Sequence, residues 1–91
     1  MTAQRRRVLL TGATGNWGRA TLRELRERDR VDVRAFARPS AADRAILEEF
    51  REMSNLTVVW GDLTDYADVR AAVEDVDIVL HVGALVSPMA D

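Results

Sequence analysis

Residues 9–22 read LLTGATGNWGRATL, an apolar segment that runs into a helical pattern with Gly12, Gly15 and Gly18 at the join. A glycine-rich turn between a strand and a helix lets backbone N–H groups converge on an anion at the positive end of the helix dipole. Gly12 suits the turn, Gly15 lets a phosphate approach the backbone, and Gly18 lets the helix pack closely on the strand. The stretch therefore predicts a pyrophosphate site, with a glycine-rich turn that binds no ligand as the alternative.

Four apolar segments are typical of buried or half-buried strands. They are RVLLTG at 7–12, VDVRAFAR at 31–38, NLTVVWGD at 55–62 and VDIVLHVGA at 76–84. The segments between them have helical periodicity. Strands that alternate with helices require crossover connections, so we predict an α/β fold, βαβαβαβ, with a doubly wound parallel sheet in the order 3-2-1-4.

Each of the three predicted helices has an apolar face at helical spacing. The first runs from about Asn16 to Arg28, with Trp17, Ala20, Leu22 and Leu25 on that face. The second starts at a capping box of Ser40 and Asp43 and carries Ile46, Leu47, Phe50 and Met53. The third is capped by Thr64 or Asp65 and carries Val69, Ala72, Val73 and Val76.

The composition indicates one ordinary domain and excludes several classes of partner. The chain has 91 residues and a net charge of −2, so it has no overall attraction to nucleic acid or to an acidic membrane. The short cluster at 5–7 is interpreted as a solvated lead-in to the first strand. There is no cysteine, hence no disulfide or thiolate metal site, and the apolar runs are too short for a secretory or membrane-spanning segment. We expect a cytoplasmic protein.

Three motifs in order carry a resemblance to a known family. TGATGNWG at 11–18 resembles the TGxxGxxG signature of the extended and atypical short-chain dehydrogenase/reductases, which include NAD(P)-dependent epimerases, dehydratases and reductases. GDLTD at 61–65 is similar to the segment that follows their third strand, and HVGALVSP at 81–88 to the HxAA-like segment after the fourth. The resemblance implies that residues 1–91 are the N-terminal part of an NAD(P)-binding, Rossmann-like domain.

The resemblance also implies which residues bind the cofactor. The pyrophosphate side would comprise Gly12, Thr14, Gly15, Asn16, Trp17 and Gly18, the adenine side Asp62 and Leu63, and the ribose side Val82, Gly83 and Ala84. Asn16 departs from the aromatic residue often found at its position. The Trp17 side chain is expected to be a core anchor under the loop rather than a ligand contact. For Asp62, the alternative is a turn residue that binds its own backbone. His81 is expected to be a buried strand-end residue with a local hydrogen bond.

The end of the second predicted strand bears on the choice between NADP and NAD. An acidic residue there would accept hydrogen bonds from the ribose hydroxyls, whereas an arginine would pair with a 2′-phosphate. Asp32 lies near the start of that strand, while Arg38 follows its end and Ser40 is close by. We therefore predict NADP(H), with NAD(H) as the alternative. The alternative is that Arg34 and Arg38 are solvated charges at the edge of the strand, in which case neither residue distinguishes NADP from NAD.

The chain lacks the catalytic residues of the family. The family uses a tyrosine with a lysine four positions on, but Tyr66 is followed by Arg70, and the chain has no lysine. We expect the catalytic part and the small-molecule substrate site to lie outside the chain, and the edge of the fourth strand to associate with itself or with another chain. An NADP-sensing module without catalysis, or a fragment that binds nothing well, are the alternatives.

Overall fold

The computed structural model describes residues 5–82, which form four strands and three helices in strict alternation. The elements are β1 Arg6–Thr11, α1 Asn16–Arg26, β2 Val31–Ala37, α2 Ala41–Leu47, β3 Leu56–Trp60, α3 Tyr66–Val73 and β4 Ile78–His81. A 3₁₀ turn, Glu48–Phe50, extends α2. Within the described residues, no helix is long and apolar enough to cross a membrane.

The four strands form one parallel sheet in the order β3-β2-β1-β4. Leu10 of β1 is aligned with Ala35 of β2 on one side and with Leu80 of β4 on the other, so β1 is central. The order reverses between β1 and β4, and ligands of such sheets bind at the carboxyl ends of the strands near this reversal. The predicted fold class and strand order are confirmed.

Alternate residues of β1 face opposite sides of the sheet. Leu10 belongs to the larger core cluster with Leu22 of α1 and Leu47 of α2. Leu9 belongs to the smaller cluster with Phe36 and with Ala72 of α3. One face is therefore covered by α1 and α2, and the other by α3.

The helix starts follow the local sequence. Ser40 Oγ accepts a hydrogen bond of 3.1 Å from the amide of Asp43, as the capping pattern predicts. At the start of α3, Asp65 rather than Thr64 is the cap, and its carboxylate accepts from the amides of Ala67 and Asp68. The start of α1 differs, since Gly15 caps it without a side chain.

Two expectations about helix faces are wrong. Trp17 is 80% exposed, so it is not a core anchor, although Gly18 beside it in the first turn of α1 is buried. Val73, at the last residue of α3, is also exposed, whereas Ala72 beside it is buried. Helical spacing identifies the apolar stripe, but it does not determine which residues of the stripe the sheet covers.

Candidate functional site

The glycine-rich turn connects β1 to α1 in a single tight bend. Gly12 has a φ of 72°, a left-handed conformation that residues with a β-carbon rarely adopt. The Gly15 amide donates to the Gly12 carbonyl over 3.1 Å and closes the turn. The chain thus reverses at the carboxyl end of the central strand and enters α1 at Gly15.

Gly15 and Gly18 differ in what surrounds them. A β-carbon on Gly18 would lie 2.6 Å from Cα of Ala13, and even closer to the Gly12 carbonyl oxygen, so backbone packs directly against this glycine. A β-carbon on Gly15 would meet no described atom closer than 3.5 Å, and its φ of −77° suits any residue. Gly18 is therefore required by the fold, whereas Gly15 leaves open space in front of the helix.

Three backbone donors point from the start of α1. The first hydrogen bond within the helix runs from the Arg19 amide to the Gly15 carbonyl over 2.9 Å. Among residues 5–82, no acceptor is paired with the amides of Asn16, Trp17 or Gly18, as expected for a first helical turn. Together with the open space at Gly15, these donors fit an anion such as a pyrophosphate.

A cavity of about 310 Å³ lies at the carboxyl ends of β1, β2 and β3. It is lined by Gly12, Thr14, Arg38, Asp43, Asp62 and Leu63, among others. The structure therefore brings together the glycine-rich turn, the residue after β2 and the residues after β3, which are far apart in the sequence. Ser40 reaches this group through its hydrogen bond to Asp43. Gly83 and Ala84 lie outside the described residues.

Arg38 is the cation at this cavity. Its side chain is 79% exposed, and its Nε lies 4.0 Å from the carboxylate of Asp43. Arg44, the next basic residue, has its guanidinium 4.4 Å from the centre of the Trp60 ring and does not line the cavity. Arg38 is thus available to an anionic group, whereas Arg44 is held by a cation–π contact.

Asp62 is held by its own turn. Its Oδ1 accepts from the amide of Thr64 at 2.8 Å and from the Thr64 hydroxyl at 2.7 Å. The amide bond, then the hydroxyl bond and the charge of Arg38, lower the pKa of the Asp62 carboxyl. These contacts are those of a turn residue that binds its own backbone, which is the alternative interpretation of Asp62. Oδ2 makes no hydrogen bond with the described residues, and Asp62 is exposed.

The turn after β3 is also fixed by close packing. A β-carbon on Gly61 would lie 2.9 Å from the Phe36 ring and 3.1 Å from Cβ of Asp68. The carboxylate of Asp68 accepts from the amide of Asp62 over 3.0 Å. The sheet and α3 therefore place Asp62 and Leu63 at the cavity.

At the end of β4, His81 Nδ1 lies 2.5 Å from the hydroxyl of Thr11. The expectation of a local hydrogen bond is met, but His81 is exposed rather than buried among the described residues. Val82 is half-buried, and its amide donates to the Thr11 carbonyl over 3.3 Å. Val82 thus lies at the carboxyl edge of the sheet, next to the glycine-rich turn.

The positions of two residues near the site are not predicted by the sequence. Asp43 was identified as part of a helix cap, but not as a residue that faces the cavity. Arg34 is not a solvated charge, because its Nη1 donates to the carbonyls of Ala72 at 2.7 Å and Glu74 at 2.9 Å. Arg34 therefore binds the end of α3 to the sheet, and only Arg38 of this pair is available to a ligand.

Comparisons with known proteins identify the family. Residues 12–89 match the family described as NAD(P)H-binding. No curated protein matches the sequence significantly. Among solved structures, Pen from Bacillus thuringiensis is similar with a TM-score of 0.79 and 33% identity, over 93% of this chain and 26% of that one.

Two further structures share the fold. The UDP-Glc/GlcNAc 4-epimerase of Campylobacter jejuni has a TM-score of 0.78 and 23% identity, over 90% of this chain and 25% of that one. The NADPH-bound carbonyl reductase from chicken fatty liver has a TM-score of 0.72 and 20% identity, over 92% of this chain and 36% of that one. The chain thus spans about a quarter to a third of the length of the three proteins. The chain belongs to the NAD(P)H-binding family, and it shares its Rossmann-like fold with a part of each of these three structures.

Proposed function

We propose that this chain is the cofactor-binding part of an NADP(H)-preferring oxidoreductase or epimerase/dehydratase. The amides of Asn16, Trp17 and Gly18 would bind the pyrophosphate, next to the open space at Gly15. Asp62 and Leu63 would border the adenine, Arg38 with Ser40 would take the 2′-phosphate, and Thr14 and Val82 would lie beside the cofactor. A bound nicotinamide supplies hydride transfer, which the protein's own side chains cannot perform.

The preference for NADP rests on one observation, the position of Arg38. Its guanidinium is 79% exposed at the cavity beside the carboxyl end of β2. Asp32, the acidic residue of that strand, is paired with Arg5 at the opposite end of the sheet. An arginine here pairs with a phosphate through charged hydrogen bonds, whereas the ribose hydroxyls of NAD would gain little from it.

The substrate site and the catalytic residues belong, in this proposal, to parts of the parent enzyme outside these 91 residues. Tyr66 is 79% exposed at the start of α3, and Arg70 stands where the family has lysine. The side chains of Ile78 and Val79 on β4 are 42% and 52% exposed among the described residues. This apolar strand would be covered by a further part of the protein or by a second chain.

Calorimetric titration of the full-length protein with NADPH and with NADH tests this function. We expect saturable binding of both and at least tenfold tighter binding of NADPH, which is about 1.4 kcal/mol. Equal dissociation constants would contradict the NADP preference but leave the dinucleotide site in place. No binding of either cofactor would contradict the function itself.

A further inference from the structure

Asp43 is a carboxylate held in place beside the cavity. Its residue is 7% exposed, although it lines the same cavity as Arg38 and Asp62. Its amide donates to Ser40 Oγ over 3.1 Å, and its Oδ2 accepts from the Arg38 amide over 3.2 Å. Backbone and side chain are both hydrogen-bonded within the turn between β2 and α2, and these bonds hold the carboxylate beside Arg38.

The same carboxylate faces the charge of Arg38. The Arg38 Nε lies 4.0 Å from Asp43 Oδ2, and within residues 5–82 this is the ion pair that Arg38 makes. The side chain of Asp43 is 11% exposed and that of Arg38 79%, so the pair joins a fixed anion to a cation that extends into solvent. A phosphate that pairs with Arg38 would therefore lie near the negative charge of Asp43.

A 2′-hydroxyl is neutral and meets no such repulsion. From these contacts we infer that Asp43 is a specificity-determining residue: its negative charge weakens the binding of a 2′-phosphorylated dinucleotide relative to one with a free 2′-hydroxyl. This inference rests on the proposed function, because it assumes that the 2′ position of the ribose lies at Arg38. Arg38 favours the phosphate and Asp43 opposes it, so the two residues together set the preference.

The Asp43→Asn variant tests this role. Asparagine keeps the shape and one oxygen that accepts from the Arg38 amide, but it removes the charge. We expect the ratio of the NADH to the NADPH dissociation constant to rise by about threefold to tenfold, because one repulsive charge several ångströms from the phosphate is lost. The NADH dissociation constant itself should change little. A purely structural residue would alter both constants by the same factor.

The chain offers a matched control. Glu48 follows α2 directly and is exposed, and it pairs with Arg51 over 2.8 Å. Glu48→Gln removes the same unit of charge from the same segment, and the ratio should stay at the wild-type value. Asp43→Ser removes the charge and keeps a hydroxyl acceptor, so it carries the same expectation as Asp43→Asn if the asparagine variant does not fold.

The outcomes separate the two proposals. A raised ratio in an Asp43 variant, with Glu48→Gln unchanged, supports the role of Asp43. An unchanged ratio in a folded Asp43 variant, while wild-type protein still prefers NADPH, overturns this inference and leaves the proposed function intact. Wild-type protein that binds neither dinucleotide overturns both.

Discussion

Gly18 is packed against the carbonyl group of Gly12, and a β-carbon on Gly18 would overlap with that oxygen. The first turn of α1 therefore rests on the backbone of the glycine-rich turn. Side chains do not mediate this contact, so no neighbouring rotamer can relieve it.

Gly18→Ala should consequently destabilise the protein. The added methyl group forces the start of α1 away from β1, and overpacking of this kind costs about 1–3 kcal/mol or more. Thermal or urea unfolding measures the loss in the free energy of unfolding. A variant as stable as wild type would show that the contact between Gly18 and Gly12 is looser than described here.

Gly15→Ala is the matched comparison at the same turn. The φ of −77° and the 3.5 Å spacing accept a methyl group, but Gly15 is the N-cap of α1, where alanine is less favourable than glycine, so the free energy of unfolding should fall by about 0.5–1 kcal/mol, less than for Gly18→Ala. The same methyl group occupies the space in front of the α1 amides, so dinucleotide affinity should fall at least tenfold. Stable protein with undiminished affinity would place the pyrophosphate elsewhere.

The variants Arg38→Gln and Arg34→Gln should distinguish the arginine that binds the cofactor phosphate from the arginine that binds the end of α3. Arg38→Gln should weaken NADPH binding by about tenfold to 100-fold and NADH binding much less, because a charged hydrogen bond to the phosphate is lost. Arg34→Gln should leave the ratio of the two affinities unchanged and lower the free energy of unfolding by about 1–3 kcal/mol, because the Ala72 and Glu74 carbonyls lose their donor. Calorimetry and denaturant unfolding of both variants check this. A changed affinity ratio in Arg34→Gln, together with an unchanged ratio in Arg38→Gln, would contradict the proposed phosphate site.

The Asp62 carboxyl should titrate at a pKa below its ordinary value of 3.8, because Thr64 donates two hydrogen bonds to it. A depressed folded-state pKa gives stability that is fully present above about pH 4 and lost as the pH falls through the folded-state value. Thr64→Ala removes the hydroxyl donor and keeps the amide, so the pKa should rise part of the way to 3.8. Carboxyl NMR titration measures both values, and identical values in the two proteins would contradict the role of the hydroxyl.

Much of the fold could be predicted from the sequence, because hydrophobic periodicity and crossover rules leave few topologies. The helix caps at Ser40 and Asp65 could also be predicted, since a capping residue accepts hydrogen bonds from amides only two or three positions away. The exposure of Trp17 does not follow from periodicity, which identifies an apolar face but not the residues of that face that the sheet covers. The cavity-facing position of Asp43 and the contact of Arg34 with α3 depend on tertiary geometry, which local patterns do not contain.

In the proposed function, the turn from Gly12 to Gly18 binds the pyrophosphate of a dinucleotide. Amide NMR shifts of the isotope-labelled full-length protein, recorded as NADP⁺ is added, test it most directly. We expect the amides of Asn16, Trp17 and Gly18 to shift most and to saturate together, while the amides of Arg5 and Asp75 at the opposite end of the sheet stay in place. Saturable shifts that spare the turn, or no shifts at all, would contradict the claim.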